Sequence, residues 1–204
     1  MTGKKAPDTR TKPAQADGRR ERSRSSRSKI VAAMLELVSK GDFSPSAARV
    51  AEVAGVGLRS VFRHFEDMDT LFREMSENIE ARVLPIITQP PKGETWQDKL
   101  FDIADRRAQV FELMMPYRLS AEFKRLQSPY LMQNHRRTLQ IEGEMIDEHL
   151  PEAIAADIHG IQAIKVILSF QTWRLLRHDL QLPVQQARAV VKRMLGDSLA
   201  AMGA

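Results

Sequence analysis

The sequence contains no cysteine. Disulfide frameworks, thiolate zinc sites and cysteine nucleophiles are therefore excluded, and nothing argues for an oxidising compartment, so the cytoplasm is the expected location. Aromatic residues are sparse at 6%, yet 43% of the chain is hydrophobic, which suits a globular protein. No apolar run reaches the ~18 residues of a membrane span. The longest candidate, 161–170, is short and interrupted by Lys165. Residues 1–29 lack the apolar segment of a secretory signal. Internal repeats and convincing strand alternation are also missing, so the expected fold class is all α. Chemistry-bearing motifs are equally scarce. No Gly-rich phosphate loop or nucleophile elbow occurs, and neither His149 with Glu152 nor His178 with Asp179 completes a triad or metal set. No catalytic residue, metal ligand or cofactor is expected.

Basic charge, by contrast, is abundant and unevenly placed. Residues 1–29 carry ten Lys or Arg against three Asp or Glu, whereas residues 30–204 carry 21 against 23. The sequence pI of about 9.7 thus belongs to an N-terminal arm. Such a block marks an interaction tail for nucleic acid or an anionic surface. Residues 1–21 are almost devoid of apolar side chains and are expected to be a disordered basic arm. The remaining chain is long enough to bury a real core.

From Arg22 the composition turns helical, with Ile30, Ala33, Met34, Leu37 and Val38 at helical spacing and Gly41 closing the segment. Ser46 is placed to cap a short helix over 47–53, and a second short helix covers 58–65. A longer helix follows through Leu71, Phe72, Met75, Ile79 and Val83, which Pro85 is expected to end. The segment 89–93 (QPPKG) reads as a linker. Four helical stretches come next: from Thr95 to Met115 before Pro116, 117–127, 130–150 and 152–178. Pro183 opens a last helix carrying Val184, Ala187, Val191, Met194, Leu195 and Leu199. The domain boundaries expected are 22–84 and 85–204.

The informative segment is 46–71, SAARVAEVAGVGLRSVFRHFEDMDTL. Two short helices around a Gly-containing turn make a helix-turn-helix, whose second helix enters the major groove of DNA. Val61 and Phe65 anchor that helix, leaving Leu58, Arg59, Ser60 and Arg63 to face outward. Residues 53–65 hold no acid and carry Arg59, Arg63 and His64. Val50-Ala51, Ala54-Gly55-Val56, Phe62-Arg63-His64-Phe65 and Asp67-Met68-Asp69-Thr70-Leu71 together resemble the DNA-binding domain of TetR-family transcriptional regulators. That resemblance implies a three-helix DNA-binding domain, a connecting helix, and a C-terminal helical domain for ligand binding and dimerisation. It also implies a homodimer through the last two helices, binding a double-stranded palindromic operator. Phe62 stands where the family has a Tyr and is expected to keep the packing without the hydroxyl; Met68 replaces a Lys. Arg59 and Ser60 are the base-reading candidates, either of which can instead touch only phosphate. Ser46, Arg49, Arg63 and His64 are placed for backbone contacts, with Arg49 equally readable as a solvated charge.

Polar residues on apolar stripes suggest a small-molecule site in the second half. Arg107 lies on the stripe of Leu100, Ala104, Phe111 and Met114; His135 lies on that of Met132, Leu139, Ile146 and Leu150; Tyr117 adds a hydroxyl. Arg107, Phe111, Met114, Tyr117, His135 and Leu139 are the candidates for an effector of unknown identity. Arg107 as half of a structural ion pair, and His135 as a satisfied core residue, remain open. The function expected is a dimeric repressor released by a small molecule. The alternatives are a sequence-nonspecific DNA-compacting protein using the arm and, further off, a helical-bundle enzyme. Because residues 30–73 are nearly neutral, the arm is expected to supply phosphate contacts. Deleting residues 1–20 should weaken binding to all DNA sequences and flatten the plot of log affinity against log salt by about 0.9 for each phosphate left unneutralised. An unchanged slope in a salt titration would remove the arm from the interface.

Overall fold

The computed structural model describes residues 14–65 and 68–203, with side chains from Arg20 onward except Ala155. All regular structure among them is helical. The helices are α1 (Ala14–Ser39), α2 (Ala47–Ala54), α3 (Leu58–His64), α4 (Met68–Ile87), α5 (Trp96–Lys124), α6 (Pro129–Asp147), α7 (Glu152–Ala155), α8 (Ile158–Ile167), α9 (Phe170–Arg174) and α10 (Val184–Ala201). A π-helical turn, Leu175–Asp179, continues α9. None of these helices is long and apolar enough to cross a membrane. The first helix begins at Ala14, ahead of the expected Arg22, and residues 1–13 of the basic arm lie outside the described residues.

Two hydrophobic clusters organise the chain. The first joins Ile30, Met34, Leu37 and Val38 of α1 to Val50, Ala51 and Ala54 of α2, Val61 and Phe65, and Leu71, Phe72 and Met75 of α4. The second joins Leu100, Ile103, Val110 and Phe111 of α5 to Ile164, Ile167, Leu168, Phe170 and Trp173, and to Ala187, Val191, Leu195 and Leu199 of α10. Both sets follow the helical spacing of their segments. Leu131 at the start of α6 belongs to the first cluster, and Ile146 near its end to the second.

Two prolines do not break helices where the sequence suggests they should. Pro85 lies within α4, and Pro116 lies inside α5. A proline removes its own N–H and crowds the carbonyl four residues back, yet the next rungs recover, as the Thr88 N–H to the Leu84 carbonyl at 3.0 Å shows. In α5 both sides of Pro116 are held by packing: Phe111 is buried in the second cluster, while Tyr117 and Ala121 pack on the first. Tertiary contact thus overrides the local preference for a break.

The opposite occurs over 152–178, which is not one helix but α7, α8, α9 and the π-turn. Polar side chains capture backbone donors there and end the ladder locally. The Asp157 carboxylate accepts from the Gly160 N–H at 2.9 Å, and the Ser169 hydroxyl accepts from the Thr172 N–H at 3.2 Å. The π-turn is pinned by Glu112, which accepts from Arg177 Nε at 2.8 Å and Nη2 at 3.0 Å, and from Trp173 Nε1 at 2.9 Å. Burial pushes the Glu112 carboxyl up, but those donors outweigh it and hold it below the usual range. The segment is also less enclosed than its composition suggests, since Ile158 and Val166 are 66% and 62% exposed.

Leu131→Ala should cost about 2–5 kcal/mol, because it opens a cavity where α6 enters the first cluster. Urea unfolding followed by circular dichroism checks this. A loss under about 1 kcal/mol would mean that the site has collapsed around the gap or that α6 is not anchored there.

Candidate functional site

The helix-turn-helix is built as its sequence requires. The Ser46 hydroxyl accepts from the Arg49 N–H at 3.2 Å and caps α2. Gly55 ends α2 with φ of 63°, a left-handed conformation that a side chain would strain. Val61 and Phe65 are buried and hold α3 against α1 and α2. Arg27 of α1 donates to the His64 carbonyl at 2.9 Å, pairs with Glu74 of α4, and stacks 4.6 Å from the Phe65 ring. One guanidinium therefore fixes the end of α3 to its neighbours.

The outward face of α3 carries Leu58, Arg59 and Arg63, all exposed, with Ser60 half-buried beside them. Arg63 Nη2 donates to the Ser60 hydroxyl at 3.5 Å. Arg49 is exposed on α2 and pairs with Glu52 at 2.7 Å, which raises its pKa. Phe62 departs from expectation. It is 58% exposed rather than packed, because Val61 and Phe65 already occupy the positions of α3 that face the core. His64 is turned partly inward, with its Nε2 buried and without a hydrogen-bond partner. Burial, then Arg63 and Arg27, lower its pKa, so the ring is neutral at pH 7.

A cavity of about 740 Å³ opens between α4, α5, α6 and α9. Arg107, Phe111, Met114, Tyr117 and His135 all line it. Leu139 does not, and it is 41% exposed. The buried residues of α6, Leu131 and Ile146, lie near its two ends. Its middle spans the cavity, with Asn134, His135, Thr138, Ile141 and Glu142 facing inward in place of the apolar stripe.

Arg107 is 8% exposed. It donates from Nη1 to the Leu168 carbonyl at 2.9 Å and from Nη2 to the Glu142 carbonyl. Among the described residues it has no carboxylate within ion-pair distance; the Glu142 carboxylate pairs with Arg118 instead. Burial brings the Arg107 pKa down to about 10, with Glu142 opposing the shift and Arg118 adding to it, so the group stays charged at pH 7. Arg118 also lies 5.3 Å from the Phe111 ring centroid and 4.8 Å from that of Phe170, which form an edge-to-face pair. His135 Nε2 sits 3.4 Å from Arg125 Nη1, and burial, Arg125 and Arg118 lower its pKa. The Tyr117 hydroxyl accepts from Arg82 at 3.4 Å. Arg118 was legible in principle: eleven residues past Arg107, it falls within about 20° of the same face if the helix continues. The assumed break at Pro116 hid it.

Side chains also join the cavity helices to the helix-turn-helix unit. The Asp69 carboxylate, at the start of α4, accepts from the Ser128 hydroxyl and from the Tyr130 N–H at 3.3 Å. Arg73 lies 4.7 Å from the Tyr130 ring centroid. The Ser120 hydroxyl of α5 donates to the Phe43 carbonyl at 2.7 Å.

Solved structures with this arrangement include a TetR transcriptional regulator from Rhodococcus sp. RHA1, at 18% identity and a TM-score of 0.55, covering 86% of this chain and 96% of that one. The chain has the TetR regulator fold. A second transcriptional regulator from Rhodococcus sp. RHA1 matches at 17% identity and a TM-score of 0.59, again over 86% of this chain and 96% of that one. The multidrug binding protein EbrR, solved in complex with imidazole, matches at 19% identity and a TM-score of 0.55, over 93% of this chain and 96% of its own. No protein-family model matches the chain, and no curated protein does.

Within this TetR fold, Asp69→Ala would leave the Ser128 hydroxyl and the Tyr130 N–H without their acceptor. It should lower stability by about 1–3 kcal/mol, and Asp69→Asn, which keeps an acceptor oxygen, should lose less. Equal denaturation midpoints for the two variants would contradict this.

Proposed function

We propose that the chain is a DNA-binding transcriptional regulator that holds a palindromic operator as a homodimer and is released by a small-molecule effector. The observation that carries this reading is the join of two features through shared helices. An acid-free face with Leu58, Arg59, Ser60 and Arg63 projects from α3, and a cavity of about 740 Å³ lies between the helices that abut it. In this reading Arg59 and Ser60 meet base edges, Ser46, Arg49, Arg63 and His64 serve the phosphates, and exposed Phe62 offers an apolar contact to the groove. The effector is bound by Arg107, Phe111, Met114, Tyr117 and His135. The likeness to EbrR with its bound imidazole supports a small-molecule site. The protein works by binding, in the cytoplasm, without a catalytic step.

Exposed Ile158 and Val166 on α8 and Met194 on α10 support the dimer. Those helices pack on each other, and two copies would complete a four-helix bundle. The effector would act by population shift, favouring a state in which the two α3 helices no longer match successive grooves. Both α4 and α6 touch the cavity and the first cluster, so a change in their separation reaches α3.

Selection from random DNA should return a palindrome whose half-sites are spaced by a helical turn or a multiple of one. Enrichment without a palindrome would favour the nonspecific DNA-compacting alternative, for which the basic arm is the supporting feature. Light scattering should give the mass of two chains. Arg59→Ala should weaken operator binding by about 1–3 kcal/mol and relax specificity at one position of each half-site. Unchanged affinity would take base reading away from Arg59.

A further inference from the structure

We infer that the effector is an amphipathic organic anion, an apolar body carrying one carboxylate that meets the guanidinium groups of Arg107 and Arg118. This inference rests on the regulator reading above and specifies the ligand of its cavity.

The first observation is the isolation of Arg107. It is nearly buried on the cavity wall, and its hydrogen bonds go to two backbone carbonyls. Those bonds use two of the five donors of a guanidinium and bring it no full negative charge. The Leu168 carbonyl is available because the helix breaks there, between α8 and the Ser169 cap of α9. The carboxylate that acts on it among the described residues, Glu142, is paired with Arg118. Two guanidinium groups therefore share a single negative charge on one wall of the cavity. A buried cation without a counter-ion is costly, and a ligand carboxylate relieves that cost with forked geometry.

The second observation is how the other charges of the lining are disposed. Arg106 pairs with Asp102 at 2.6 Å, and Arg174 pairs with Glu122 at 3.0 Å and Asp179 at 3.5 Å. Glu80 and Glu148 have no ion-pair partner among the described residues, but they are exposed at the rim, where water solvates them. The uncompensated charge inside the cavity is positive. Ile79, Val83, Val110, Met114 and Phe170 add apolar wall beside it. A cationic drug would meet Arg107 and Arg118 with like charge.

Calorimetry on the full chain without DNA tests this, using dodecanoate and dodecyltrimethylammonium below their micellar concentrations and dodecan-1-ol below its solubility limit. Dodecanoate should bind at least about tenfold more tightly than the other two. Arg107→Met should weaken dodecanoate by at least about tenfold and leave the alcohol little changed. Arg118→Met keeps both backbone bonds of Arg107 and should weaken dodecanoate likewise, so it carries the test if Arg107→Met fails to fold. Equal binding of the alcohol or the cation, no binding of dodecanoate, or undiminished dodecanoate affinity in a folded variant would each overturn the inference. If Arg107 is only a latch between helices, its variant melts lower while the preference for the acid persists, and that too overturns it. Operator retention without any probe is read separately: its loss would sink the regulator reading and leave the dodecanoate result standing.

Discussion

Helix α5 runs unbroken through Pro116, and the rest of the molecule is arranged on it. At 29 residues it spans about 43 Å. Its first half carries Leu100, Ile103 and Phe111 into the second cluster, and its second half lays Tyr117 and Ala121 on the first. One rung of the ladder is lost at the proline, yet packing on both sides keeps the axis continuous. Had the helix broken there, Arg107 and Arg118 would not share a face, and the cavity would lose its two central charges.

Helices α4 and α6 make the same crossing. Leu71, Phe72 and Met75 of α4 belong to the first cluster and Val83 to the second. Leu131 and Ile146 divide α6 in the same way. The cavity therefore lies between helices whose other ends form the base of α3. Asp69, which holds the Ser128 hydroxyl and the Tyr130 N–H, lies close after the end of α3 in the chain. In the proposed regulator, a ligand that changes the spacing of α4, α5 and α6 acts on rigid levers with discrete contacts at the DNA-facing end.

The charges divide along the same line. Toward the proposed DNA face, Arg59 and Arg63 are exposed and the first helix brings further basic residues. Inside the cavity, arginine is buried beside aromatic rings and carbonyls. The same side chain type thus has two roles set by solvation. In the proposed reading, the exposed arginines attract phosphate over long range, and the enclosed ones offer a directional fork to a single carboxylate.

Much of this could be read from the residues. The spacing of Ile30 to Val38, the Ser46 cap, the Gly55 turn and the Val61 and Phe65 anchors are local features, because capping, turn conformation and helical periodicity act over a few residues. They determined the helix-turn-helix and which side of α3 faces out. Arg107, Phe111 and Met114 line the cavity for the same reason: they share the stripe of α5 that the helix period defines. The tertiary structure alone decided the rest. It carried α4 and α5 through Pro85 and Pro116, divided 152–178 at Asp157 and Ser169, left Leu139 outside, and withheld a carboxylate from Arg107. Each of these outcomes sets a local preference against contacts from residues far away in the chain, and only the assembled packing determines which term is larger.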